Sequence, residues 1–192
     1  VQSPTNPSER LWKIPHGYIG VTILFGRTQL TSYNDSLRPL ETTYSLLAIH
    51  DLRLDSPTAD TLLLLAEESG RTVLASLPVK GKLELRLLQR TSLPRCSRFL
   101  PGGEFAVGDS VVAIVAGGNV LPIRQGEILD AIPLPTDNSS LLIAERTDDG
   151  LLLTAFRTPG DAGEDTDTGD TLPPASVMLP SVGGKVRLFM AD

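Results

Sequence analysis

From Tyr18 onward the chain breaks into short apolar runs separated by glycine, proline, asparagine and aspartate. That punctuation limits what it can fold into more than any other feature. A run such as Val111–Ala116 holds six residues, which suits a strand and is short for a helix that must bury a face. Strands are expected near 18–25, 44–49, 61–66, 71–77, 82–90, 110–116, 119–123, 127–134, 140–146, 150–156, 175–180 and 184–190. Lys82-Leu83-Glu84-Leu85-Arg86-Leu87 alternates strictly, the period-two pattern of a half-buried strand. Leu62 to Leu65 and Val111–Ala116 do not alternate and read as strands covered on both faces. The pairs Gly108-Asp109, Gly117-Gly118 and Asp149-Gly150 supply the positive φ that tight hairpins need. With 32 leucines against five Phe, three Tyr and one Trp, the core these strands build is aliphatic.

One stretch, 58–70, also fits a helix that ends at Gly70. A hairpin is the better reading, because Leu63-Leu64-Leu65-Ala66-Glu67 recurs as Leu141-Leu142-Ile143-Ala144-Glu145. Each copy runs through a turn with glycine into a second apolar run, and the later turn, Asp149-Gly150, is a strong hairpin signal. The expected fold is therefore all-β: barrel- or sandwich-like antiparallel sheets joined by hairpins, as one β-unit or two related ones. Residues 1–12 read as an irregular arm and 13–157 as the β domain, with a break near 93–103 if there are two units. Residues 158–174 read as an acidic, glycine-rich loop and 175–192 as a C-terminal hairpin. The start at Val1 suggests a processed product or an excised fragment.

Charge and motif content then remove function classes. A formal charge of −6 and a pI near 4.9 leave no electrostatic footprint for nucleic acid or anionic membrane. Arg86, Arg90, Arg95 and Arg98 fall close together and read as a solvated face. No apolar run approaches the roughly 20 residues that span a bilayer. Cys96 is the single cysteine, so it makes no intrachain disulfide, and a reducing compartment is favoured. His16 and His50 lack a patterned second ligand, and no hydrolase elbow, phosphate loop or dinucleotide fingerprint occurs. In the acidic tract, Asp161, Asp165 and Asp167 are the candidate metal ligands. An EF-hand spacing fails there, with Gly169 at a ligand position and Ser176 at the twelfth. No cofactor and no catalytic residue is expected.

Four stretches resemble motifs of the dUTPase family. Pro159-Gly160-Asp161-Ala162-Gly163-Glu164-Asp165 is similar to its first motif. Ile14 to Gly20, with Phe25-Gly26-Arg27-Thr28-Gln29-Leu30, resembles the second. Lys80 to Leu85 looks like the third and Leu121 to Leu129 the fourth. Under this resemblance Ser76 stands at the catalytic aspartate position and Val79 at the tyrosine that stacks on uracil. Thr28-Gln29 replaces a serine pair, and Ala131 a glutamine. The motif order, with the first last, is similar to the rearranged order of the family's herpesvirus members. Their relatives that have lost the active site act by binding other proteins.

The resemblance thus implies a non-catalytic protein-binding module, a dUTPase-related protein without its active site. Its partner contacts are expected in the 93–103 segment: Arg95, Arg98, Phe99 and Leu100. The alternative is a structural or assembly subunit: a capsid or appendage protein, or part of a β-propeller, to which hairpins such as 141–156 are suited. The partner is accordingly another protein or a second copy, with no nucleic acid and no membrane span. A nucleotide hydrolase holding Mg²⁺ on Asp161, Glu164, Asp165 and Asp167 is the third reading, with no cationic loop nearby for phosphates.

Overall fold

The computed structural model describes residues 10–24, 27–55, 60–102, 104–134, 140–157, 176–180 and 186–188. The described chain is all-β: sixteen strands form four antiparallel sheets of four. Sheet 1 runs β1 (Arg10–Ile14), β2 (Gly17–Leu24), β3 (Arg27–Tyr33) and β4 (Pro39–Ser45). Sheet 2 runs β5 (Ala48–Leu54), β6 (Thr61–Glu68), β7 (Arg71–Pro78) and β8 (Arg86–Pro94). Sheet 3 holds β9 (Arg98–Phe99), β10 (Phe105–Val107), β11 (Val111–Ala116) and β12 (Asn119–Gln125). Sheet 4 holds β13 (Glu127–Pro133), β14 (Ser140–Thr147), β15 (Gly150–Arg157) and β16 (Ser176–Leu179). In each sheet the strands pair in chain order, so the same up-and-down meander occurs four times where sequence reading counted one unit or two. Among the described residues no helix is long and apolar enough to cross a membrane.

The turns explain why consecutive strands pair. Ser69 and Gly70 take φ of 53° and 77° between the opposed residues Glu68 and Arg71. Two positive φ values in a two-residue loop match the right-handed twist of the flanking strands. Gly117 and Gly118, with φ of 57° and 77°, do the same between β11 and β12. Within the 58–70 stretch, Thr61–Glu68 is therefore a hairpin arm and not a helix. In the later hairpin the turn falls on Asp148-Asp149, because Gly150 already pairs with Thr147.

The apolar core lies between sheets. Ile19, Val21 and Leu30 of sheet 1 meet Leu62, Leu64, Val73 and Ala75 of sheet 2. Leu63, Leu65 and Leu74, on the other face of sheet 2, meet Ala106, Val111, Ala113 and Val115 of sheet 3. Phe105, Val107 and Val112, on the other face of sheet 3, meet Ile128, Ala131, Leu141 and Ile143 of sheet 4. Sheets 2 and 3 are thus covered on both faces, which is why Leu62 to Leu65 and Val111–Ala116 read as unbroken apolar runs. Burying Leu64, Leu65 and Leu74 completely is worth about 2 kcal/mol each in transfer free energy.

Several expected elements differ. Arg10, Leu11 and Trp12, expected in an irregular arm, belong to β1. β3 and β4 were not foreseen because threonine and tyrosine build them in place of an aliphatic run, and such residues suit a half-buried pleated face. The alternating 82–87 stretch enters a strand only at Arg86. Ahead of it Leu83 is buried and its N–H donates to Glu41 Oε2 of β4 at 2.9 Å, so this segment bridges two sheets instead of joining a ladder.

The recurring pentapeptide is real as a hairpin and out of step by one residue. In β5 and β6, Asp51 opposes Leu65 just past a bulge; in β13 and β14, Asp130 opposes Ala144 just past a bulge. Structural equivalence therefore pairs Leu62-Leu63-Leu64-Leu65-Ala66 with Leu141-Leu142-Ile143-Ala144-Glu145. A one-residue shift exchanges the two faces of a strand. With the shift applied the faces agree: Leu62 and Leu64 look back at sheet 1, as Leu141 and Ile143 look back at sheet 3.

Candidate functional site

The side of the array formed by the first strands β1, β5, β9 and β13 gathers the charged groups that join one sheet to the next. Arg10 of β1 donates to the His50 carbonyl of β5 at 2.7 Å. Asp51 then acts as a junction. Its Oδ1 accepts from Trp12 Nε1 of sheet 1 at 3.2 Å and from the Leu52 N–H at 2.9 Å. Its Oδ2 accepts the Phe99 N–H of sheet 3 at 2.7 Å. One carboxylate just past a bulge thereby bridges three consecutive sheets.

Asp130 repeats the device. Its Oδ1 accepts from Arg98 of sheet 3 at 2.6 Å and from the Ala131 N–H at 2.9 Å. Its Oδ2 accepts the Leu188 N–H at 2.9 Å. Around this aspartate lies a cleft of about 860 Å³ bounded by Arg98, Asp109, Ile128, Asp130, Arg146 and Arg187, with Ile132, Val186 and Leu188 also in its wall. Arg146 pairs with Glu127 at 2.7 Å and Arg98 with Asp130, so the cleft presents guanidinium and carboxylate groups over an aliphatic floor. Four of the residues that line it, Arg98, Ile128, Asp130 and Ile132, stand on first strands.

A second charged group lies along the same side. His50 Nε2 is 3.0 Å from Glu67 Oε2, and Arg95 lies 3.8 Å from the same carboxylate and 3.3 Å from Asp109. Sequence reading missed Asp51, Asp130, Glu67 and this His50 pairing. Single carboxylates at bulges of separate strands share no spacing pattern; their relation exists only once the strands are laid side by side.

The residues expected to meet a partner fall in different environments. Arg95 is exposed and ion-paired. Arg98 lines the cleft and is held by Asp130. Phe99 is half-buried, its N–H on Asp51 and its ring under the Arg53 guanidinium at 5.0 Å. Leu100 is 2% exposed and packs among Phe105, Val107 and Ile128, so it belongs to the core and offers no surface contact. The expectation for Leu100 is corrected on that ground: β9 is the first strand of sheet 3 and turns Leu100 inward. Asp161, Asp165 and Asp167 lie outside the described residues. Among the described residues no group of three or more His, Cys, Asp and Glu is placed to hold a metal ion. Cys96 is buried between sheets 2 and 3, and burial pushes its thiol above its ordinary range, against a smaller downward pull from Thr72. The stretches that resemble dUTPase motifs are dispersed: the β1–β2 hairpin, the approach to β8, and the β12–β13 passage, with 159–165 outside the described residues.

No protein-family model matches this chain, and no curated protein does. A solved structure to which it is similar is that of a Bacteroides fragilis protein provisionally named a 6-phosphogluconolactonase. The identity is 12% and the TM-score 0.47, over 77% of this chain and 52% of that one. The chain thus spans about half the length of that protein. The expectation that this chain is not an enzyme is corrected here, because the similar structure carries an enzyme's name. At that TM-score the likeness carries no argument about substrate or reaction.

Proposed function

We propose that this chain is a structural subunit of a β-propeller-type assembly: four successive blades whose role is to hold first-strand groups in fixed positions and to join further polypeptide. The observation that carries the reading is a carboxylate junction made twice: Asp51 is bonded to β1 and β9, and Asp130 to β9 and to the Leu188 N–H. Four-stranded meanders that contact only their chain neighbours are the plan of propellers and other repeat arrays. The outer strands are linked in the same sense, since the Val120 N–H of β12 donates to Gln89 Oε1 of β8 at 2.6 Å.

The test is the particle mass of the protein recovered from cells that make it, by light scattering and native mass spectrometry. An assembly subunit is expected in a particle heavier than its own 20.6 kDa. A free particle of that mass at native abundance refutes the reading.

A further inference from the structure

The charged groups in and beside the 860 Å³ cleft do not balance. Arg95 bonds Asp109 at 3.3 Å, Arg98 bonds Asp130 at 2.6 Å, and Arg146 bonds Glu127 at 2.7 Å. Arg187, in the wall of the same cleft, is exposed and makes no ion pair or side-chain hydrogen bond with another described residue. Counting hydrogen bonds widens the gap. Asp130 already accepts from Arg98, the Ala131 N–H and the Leu188 N–H, which nearly exhausts its lone pairs. Arg98 gives only one of its several N–H donors to that bond, and Arg187 gives none. The cleft therefore holds guanidinium donors for which the described chain offers no acceptor.

The place of Arg187 says what it is suited to hold. Phe99 gives its N–H to Asp51 Oδ2, and Leu188 gives its own to Asp130 Oδ2. Arg98 and Arg187 each stand one residue ahead of that N–H, exposed between two half-buried neighbours. Arg98 uses the position to grip a carboxylate. A planar guanidinium and a planar carboxylate match through parallel N–H···O bonds. The rest of the wall is hydrocarbon: Ile128, Leu129, Ile132, Val186 and Leu188. Ile128 is anchored in the core with Leu141 and Ile143, while the other four are half-buried and keep part of their surface to offer. An inorganic anion would meet the guanidiniums and leave that hydrocarbon wet. A carboxylate on an aliphatic tail covers both.

We infer that this cleft is a binding site for a small aliphatic carboxylate. Arg187, with the unspent donors of Arg98, takes the carboxylate, and the aliphatic wall takes the tail. Asp109 and Asp130 keep their own arginines, which offsets their repulsion of the incoming charge. The inference does not rest on the assembly reading.

Hexanoate is the probe, titrated into the recombinant chain and followed by amide chemical shifts. One equivalent is expected to bind with a Kd of about 1 mM, with the largest shifts at Leu129, Ile132 and Leu188. Hexan-1-ol has the tail without the charge and inorganic phosphate the charge without the tail; each should bind weaker by about tenfold or more. Arg187→Gln should weaken hexanoate about tenfold and leave the melting temperature unchanged, because the side chain is exposed and bonds no described residue. Arg90→Gln, which removes an exposed guanidinium paired with Glu68 on the outer strand of sheet 2, should leave the affinity as it is. A Kd above about 10 mM, phosphate binding as tightly as hexanoate, unchanged affinity in Arg187→Gln, or an equal loss in Arg90→Gln overturns the inference. A chain that assembles without taking hexanoate leaves the assembly reading standing and removes this one. A chain that takes hexanoate as a free 20.6 kDa particle does the reverse.

Discussion

Replacing Asp51 with alanine tests whether one carboxylate holds three sheets together. The substitution removes the acceptor for the Phe99 N–H at 2.7 Å, for Trp12 Nε1 at 3.2 Å and for the Leu52 N–H at 2.9 Å. The first two donors come from other sheets and are partly buried, so neither finds water readily in the folded chain. An orphaned donor costs about 1–3 kcal/mol, and partial burial places each near the middle of that range. The Leu52 bond is local and adds a smaller loss of about 0.5 kcal/mol. The sum is a destabilisation of about 3–5 kcal/mol, which in a chain of this length lowers the thermal midpoint by roughly 8–15 °C. Circular dichroism melts and urea titrations read the loss, and hydrogen exchange at Phe99 reads its location. Asp51→Asn keeps one carbonyl acceptor and should lose about half as much. Asp130→Ala should cost less than Asp51→Ala, because Arg98, 47% exposed, returns to water when released. A loss below about 1 kcal/mol for Asp51→Ala, or equal losses for its alanine and asparagine variants, would refute the junction argument.

Three further outcomes follow from single residues. Gly17→Ala should destabilise the chain severely and disrupt the β1–β2 turn, since φ is +137° there and a Cβ would stand 1.9 Å from the Tyr33 carbonyl oxygen; an unchanged melting temperature contradicts it. Cys96 should resist a thiol reagent in the native chain and react in denaturant. Because its folded thiol is pushed up by burial, the unfolded chain ionises first, so stability should fall as pH rises above the ordinary thiol range near 8.5. Urea titrations of the wild type and Cys96→Ala at about pH 7.5 and 9.5 check this, and an identical slope in both sinks it. Arg53→Met should be neutral or stabilising within about 1 kcal/mol, because the buried Nε of Arg53 has no hydrogen-bond partner while the stem packs equally well as methionine. A loss of more than about 2 kcal/mol would show that the guanidinium over Phe99 matters more than its burial costs.

The class of the fold was carried by the sequence, since short aliphatic runs between turn residues admit few structures other than packed antiparallel sheets. Leu62 to Leu65 announced a strand buried on both faces, and Ser69-Gly70 and Gly117-Gly118 sit at the turns that make hairpins. What tertiary structure decided was every relation between strands distant in the chain. Thr31 and Thr42 build a sheet only when set opposite each other, so a search for apolar runs passes over them. The slip between the two leucine pentapeptides was invisible because leucine follows leucine in both, and the bulges at Asp51 and Asp130 alone reveal it. Those aspartates carry no motif: a carboxylate becomes a junction by which donors the fold brings against it, Trp12 and Phe99 on Asp51 and Arg98 on Asp130. Local sequence determines the strand and its turn; which face is covered depends on neighbours that only the folded chain assembles.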